Sequence, residues 1–233
     1  MIYHEDYTVN PLRRYVQMPD SRALLRTDIY QKLREEILAC ELPPGADLRE
    51  QNLAARFSVS KSPVRDALLR LERERLVTIS PRQGYRVAPI SVADARDLFR
   101  LRLVLETASV AEGARSAPDG ALAALDRFRS FRGKAQRGGF LAYNREFHCA
   151  LARLSGNERM ATATCELIDH MHRLIRVSVD NVERPGGLVL EHARIVDALQ
   201  DRDGRRAASI LRRHIEAAER RVARGLERVA VVA

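Results

Sequence analysis

Three imidazoles and one run of basic and hydroxyl side chains carry the chemistry of this sequence. His148 lies on the stripe Leu141, Asn144, His148 and Leu151, with Asn144 one turn before it on the same helical face. His192 shares a stripe with Ile195, Val196 and Leu199, and His214 sits among Ala207, Leu211 and Ala218. A lone imidazole on an apolar face is more often a satisfied core residue than a ligand. Three that converged would point to a metal, with Zn²⁺ first for neutral imidazoles and Ni²⁺ as the alternative, but spacing alone does not bring them together. The second group is Ser60-Lys61-Ser62 with Arg65 following. At a helix N-terminus, Arg65 can take a guanine edge with both prongs of its guanidinium, while Lys61 and the serines suit phosphate. Alone, Arg65, Arg70 and Arg73 would more often describe a solvated helix face.

These residues need elements to hold them. Leu25, Ile29, Leu33 and Ile37 recur at three-to-four spacing, which predicts a helix that Leu42-Pro43-Pro44-Gly45 ends. A second helix is expected over Arg49–Phe57. A third is expected over Lys61–Arg75, capped by Ser60 or Ser62, with Pro63 in its first turn. Leu76–Ser80 and Gly84–Ala88 read as two strands joined by Pro81-Arg82-Gln83. Helix, helix, turn, helix and hairpin make the winged helix-turn-helix plan. Beyond Ser91-Val92-Ala93-Asp94, a capping box, the strand signals stop. Helices are expected at about 92–116, 119–133, 137–155, 158–181, 188–201 and 204–229. The fold class is mainly α. Residues 1–21 form a polar, mobile arm, 22–90 a winged helix-turn-helix domain, and 91–233 an all-helical domain.

Composition narrows the function. Of 233 residues, 45% are apolar and 30% charged, which excludes wholesale disorder. The net charge of +9 suits a polyanionic partner. The excess is spread, with 15 cations against 12 anions in residues 1–90 and 25 against 19 thereafter, so charge alone locates no binding face. No apolar run approaches the roughly 18 residues of a membrane span, and the first residues lack a secretion signal; a cytoplasmic protein is expected. The three cysteines, Cys40, Cys149 and Cys165, form no CxxC pair, which argues against a disulfide scaffold or a Cys-rich zinc site.

Tyr30-Gln-Lys-Leu-Arg34, Leu42-Pro-Pro-Gly45, Leu48-Arg-Glu50, Leu53-Ala54, Val59-Ser-Lys-Ser-Pro-Val-Arg65, Leu76-Val77 and Gly84-Tyr-Arg-Val87 follow one another in order. Together they resemble the DNA-binding domain of GntR-type transcription regulators, and the helical remainder resembles the FCD ligand-sensing domain of the FadR subgroup. The resemblance implies that Gln51, where relatives often carry arginine, contacts DNA beside Ser60, Lys61, Ser62 and Arg65. Arg82 and Gln83, at the hairpin tip, would reach the minor groove or backbone. In metal-binding FCD domains an Asp-x3-His pair on one helix joins two further histidines. Asn144, His148, His192 and His214 occupy those positions, with a neutral amide in place of the carboxylate. Arg102, four residues before Glu106, stands at the family's arginine position. It either receives an effector carboxylate or is a surface arginine bonded to Glu106. His170 and His172 are further candidates to line the pocket.

The resemblance implies a homodimeric regulator that binds double-stranded DNA at a palindromic operator. It would act as a repressor released by a small organic acid at or near the metal. Two other readings stand beside it: a zinc-dependent hydrolase using the three histidines, and an architectural DNA-binding protein without an effector. Against the hydrolase, the sequence has no HExxH, no GxSxG and no carboxylate at a motif position for a general base.

Overall fold

The apolar stripe of the first helix, α1 (Ser21–Leu38), buries Ile29, Leu33 and Ile37 and so fixes the N-terminal unit around it. The computed structural model describes residues 21–81, 84–132, 139–178 and 186–230, apart from the side chains of 21–27 and 229–230. The arm at residues 1–20, Arg82 and Gln83, and the side chain of Leu25 lie outside the described residues. The turn after α1 carries Gly45 at φ +83, in the left-handed region that glycine enters without strain. The strand β1 (Asp47–Leu48), α2 (Glu50–Phe57) and α3 (Lys61–Arg73) follow. The hairpin is β2 (Val77–Ser80) and β3 (Gly84–Val87). The sheet order is β1-β3-β2, antiparallel, with Asp47 opposite Arg86 and Ile79 opposite Tyr85. β1 was not expected, because two residues are too few to show a period. Ile29, Leu33, Ile37, Val64, Leu68 and Leu71 meet in one apolar cluster.

The remaining elements are α4 (Val92–Ser116), α5 (Asp119–Ala123), α6 (Gly139–Arg153), α7 (Glu158–Ser178), α8 (Gly186–Gln200) and α9 (Gly204–Ala230). The Ser91 hydroxyl accepts from the Asp94 amide, as a capping box requires. The helix expected over 119–133 is corrected: α5 stops at Ala123 and a 3-10 turn runs over Ala124–Phe128. Leu122, Leu125 and Phe128 are all buried at a spacing of three, which suits the three-residue period of that turn. Arg129 then closes the segment, donating to Asp126, Asp197 and Gln200.

The helices pack around a second apolar cluster that includes Phe99, Phe147, Leu151, Ile168 and Leu211. α9 meets α7 so closely that a Cβ at Gly225 would stand 1.8 Å from the Ser178 carbonyl oxygen. The expectation on cysteines also needs correction, because Cys149 on α6 and Cys165 on α7 are joined by a disulfide, with 5.3 Å between their Cα atoms. The antiparallel hairpin of α6 and α7 brings them together, so no local spacing motif announces the pair. Among the described residues, no helix is long and apolar enough to cross a membrane.

Candidate functional site

The chain brings its chemistry to two places, one on the surface and one in the core. On the surface, Ser60 occupies the N-cap of α3 with φ −72 and ψ 167, but its hydroxyl makes no capping bond. Ser60, Lys61, Ser62, Arg65 and Gln51 are all exposed, and they lie where α2 and α3 begin. The turn between those helices, with Ser58 at φ 55, sets the second helix across the first. Arg65 is held in a bidentate pair with Glu50, Nε to Oε1 and Nη2 to Oε2 at 2.8 Å each. Glu50 was not singled out from the sequence. That arginine pulls the Glu50 carboxyl below the usual carboxylate range.

In the core, α6, α8 and α9 each contribute one imidazole. His148 is fully buried, as is His192, and His214 is nearly so. One ring nitrogen of each lies within 4.8 Å of the other two. The Nδ1 atoms are already engaged. His148 Nδ1 is 2.6 Å from Glu106 Oε2, and His214 Nδ1 is 2.6 Å from Glu191 Oε2. A carboxylate accepts, so both Nδ1 atoms carry the proton. His192 Nδ1 is 3.2 Å from the Tyr143 hydroxyl, which spends its own proton on the Phe128 carbonyl at 2.7 Å. Tyr143 therefore accepts from His192, and burial pushes its own pKa up to about 12. All three Nε2 atoms are left with a lone pair. This pattern of a ring N–H tied to an outer acceptor is how histidine ligands are oriented at metal centres.

Burial holds each imidazole neutral. The pKa of His148 is well below the ordinary value through desolvation and then Arg102; that of His192 is well below it through desolvation and its two histidine neighbours. His214 is lowered by burial, which the Glu191 hydrogen bond only partly offsets. His192 Nε2 is buried without a hydrogen-bond partner among the described residues. The donor set therefore fits a borderline divalent ion: three neutral nitrogens in a dry pocket, one of them with nothing else to bind. Asn144 is buried one turn before His148, and its side chain makes no hydrogen bond among the described residues.

Arg102 completes this centre, and the structure corrects one expectation, that it lies on the surface. It is bonded to Glu106, Nε to Oε1 at 2.6 Å, but it is 2% exposed and is no surface residue. Its Nη2 also donates to His148 Nε2 at 2.6 Å. Glu106 is completely buried, which raises its carboxyl pKa against the pull of Arg102. Glu191 and Tyr143 were not identified from the sequence, and Glu106 was named there only as a partner of Arg102. Glu106 had a signal: Arg102, Glu106, Ser109 and Gly113 form a polar stripe in an otherwise apolar stretch of α4, and all four are buried. His170 and His172 stand apart from the three-histidine group: His170 faces the junction of the two units, and burial lowers His172 to about 4.

An ionic chain ties the N-terminal unit to the helical domain. Arg34 of α1 donates to Glu74 at 2.8 Å and to Asp169 of α7 at 2.7 Å. Asp169 also accepts from Arg145, one turn before Cys149 on α6. Burial disfavours the Asp169 charge, but the hydrogen bonds from Arg145 and Arg34 hold its carboxyl below the usual range.

Two sequence families match the chain. Residues 25–87 match the gntR family of bacterial regulatory proteins, and residues 97–217 match the FCD domain. An HTH-type transcriptional regulator in an unstable DNA locus of Streptomyces ambofaciens is 33% identical over 195 residues, 82% of each chain. The HTH-type transcriptional repressor RspR of Escherichia coli K12 is 29% identical over 192 residues, 81% of this chain and 84% of its own. A crystal structure of a GntR transcriptional regulator from Rhodococcus sp. RHA1 superposes with a TM-score of 0.72 at 26% identity, covering 84% of this chain and 96% of that one. These relatives are regulators, not enzymes.

Proposed function

The chain belongs to the GntR family of bacterial transcription regulators and carries an FCD domain, and from that premise we propose that it is a cytoplasmic repressor released by a small carboxylate. The N-terminal unit, residues 22–90, is the reading head; residues 91–233 sense the effector and dimerise. The observation that carries this reading is the core group: three neutral imidazoles with their Nδ1 atoms tied off, beside a buried arginine.

Two reading heads related by a two-fold axis would address a palindromic operator. The Arg65 fork exchanges Glu50 for a guanine edge, at modest cost because the arginine side chain is exposed to water and Glu50 is half-buried. Ser60, Ser62, Lys61 and Gln51 hold phosphates, helped by the free amides of the first turn of α3. Arg82 and Gln83 extend the contact from the hairpin tip. For the dimer, α4 offers an apolar strip: Leu101 is 50% exposed and Val104 65%, with Ala108 and Ala111 exposed on the same side.

In the helical domain His148, His192 and His214, with the Asn144 amide oxygen, would hold Zn²⁺ or Ni²⁺. When bound, the ion supplies a Lewis-acidic anchor for a carboxylate oxygen. For His148 Nε2 to take the ion, Arg102 would keep Nε on Glu106 and turn its Nη2 N–H away from His148, leaving that donor for the effector carboxylate. A shift of α6 is passed through Arg145 and Asp169 to Arg34 of the reading head. A coupling of about 1–3 kcal/mol gives a 5–150-fold change in DNA affinity.

The test is a gel-shift titration on a duplex selected from a random pool, with a panel of small carboxylates added to the metal-loaded protein. One carboxylate should weaken binding within that range in the wild type and not in Arg102→Gln. DNA affinity that ignores the whole panel would favour the architectural reading.

A further inference from the structure

A cavity of about 640 Å³ opens where the reading head meets the helical domain, well apart in role from the histidine centre. Arg75, Thr78 and Ile79 wall it from one side, Leu98, His170 and Arg173 from the other. Arg173 is the anomaly. It is 4% exposed, its Nη2 donates to the Ala88 carbonyl, and its Nε is buried with no hydrogen-bond partner among the described residues. Arg34, Arg102 and Arg145 each meet a carboxylate, but no carboxylate among the described residues pairs with Arg173. A buried guanidinium without a counter-charge is a costly arrangement unless an anion comes to it.

The rest of the lining indicates what kind of anion. Asp94 and Glu72 also face the cavity, beside Arg75, but neither carboxylate is in contact with Arg173. Asp94 is exposed and acts on Arg173 only at a distance. Arg173 is thus the one buried cation of this wall, and a single negative charge suffices to meet it. Ile90, Leu98 and Leu174 give the remainder an apolar surface. His170 is kept neutral by burial and adds a hydrogen-bonding group but no charge.

We propose that this junction cavity is a second ligand site, which takes a small monocarboxylate with an apolar body. The carboxylate sits on Arg173 and the body lies against Ile90 and Leu98. The site is independent of the metal-adjacent one and does not require it. Because both units wall the cavity, an occupant favours the placement of the reading head that closes around it. Arg173 already reaches the reading head: Ala88, whose carbonyl it holds, donates its own N–H to the Leu76 carbonyl at 2.9 Å, at the base of the hairpin.

The probe is hexanoate, titrated calorimetrically into the full chain. Saturable binding is expected, weakened at least about tenfold by Arg173→Gln, since a charge-assisted hydrogen bond is lost. Leu98→Trp, which fills the cavity and leaves the charge, should weaken it similarly. Arg173→Gln should melt no lower than wild type, because the cation it removes is uncompensated. Wild-type protein that takes up no hexanoate would overturn the proposal. So would hexanoate binding that neither variant changes, a result that would assign the ligand to the Arg102 centre instead.

Discussion

Arg65 and Arg102 make the same bond, a guanidinium on a glutamate of the chain, in opposite surroundings. The Arg65–Glu50 pair lies at the surface, with the arginine side chain 59% exposed and the glutamate 19%. The Arg102–Glu106 pair is sealed in the helical core, its carboxylate wholly out of solvent. A surface pair is worth little and changes partner easily, which suits the proposed move of Arg65 from Glu50 to a base edge. A buried pair is held by the cost of separating it, which suits a centre that should respond only to a ligand bringing its own charge. The same chemistry thus serves as a latch in one place and a lock in the other.

The sharpest way to break this contrast is to remove each glutamate or arginine in turn. Glu106→Ala leaves Arg102 buried and unpaired, so urea unfolding should show a loss of about 3–5 kcal/mol. A loss below 1 kcal/mol would mean that the pair is not a lock. Acid should act next. His172 has a pKa lowered to about 4, so the unfolded chain takes up its proton first as pH falls through 6.5. Its contribution to stability is intact above pH 6.5 and falls by roughly 2 kcal/mol at pH 5. The three core histidines push in the same direction. His172→Leu should flatten the dependence of the urea midpoint on pH; an unchanged slope would exclude His172 as a source. Arg65→Ala should cost about 1–3 kcal/mol of operator discrimination in each half-site and leave unfolding within about 0.5 kcal/mol of wild type. Retained discrimination would remove Arg65 from the interface. The smallest effect belongs to Glu50→Gln, which loosens the latch. Stability should stay within about 0.5 kcal/mol, and operator affinity should change less than in Arg65→Ala.

The legible parts of the fold were those with a period and punctuation. The Ser91 cap marks the start of α4 at Val92. Ile29, Leu33 and Ile37 mark the inner face of α1. The 3-10 turn after α5 was missed because a spacing of three fits a helical stripe nearly as well. The three histidines were legible as inward-facing residues one at a time. The acceptors that orient them come from other helices: Glu106 is 42 residues from His148, and Tyr143 is 49 from His192. No local pattern ties such pairs together. Arg102 was the hardest to place, since an i,i+4 Arg–Glu pair usually marks a solvated face. Here α4 turns that pair inward and leaves Leu101 and Val104 outside.

Elemental analysis of the untagged full chain, purified without chelator, tests the central claim most directly. The account predicts about one Zn or Ni per chain, held by the three imidazoles and lost in His192→Ala while that variant keeps its helical content. Protein that is free of metal and takes up no added Zn²⁺ or Ni²⁺ would contradict it, leaving the three histidines as a core cluster with no ion to bind.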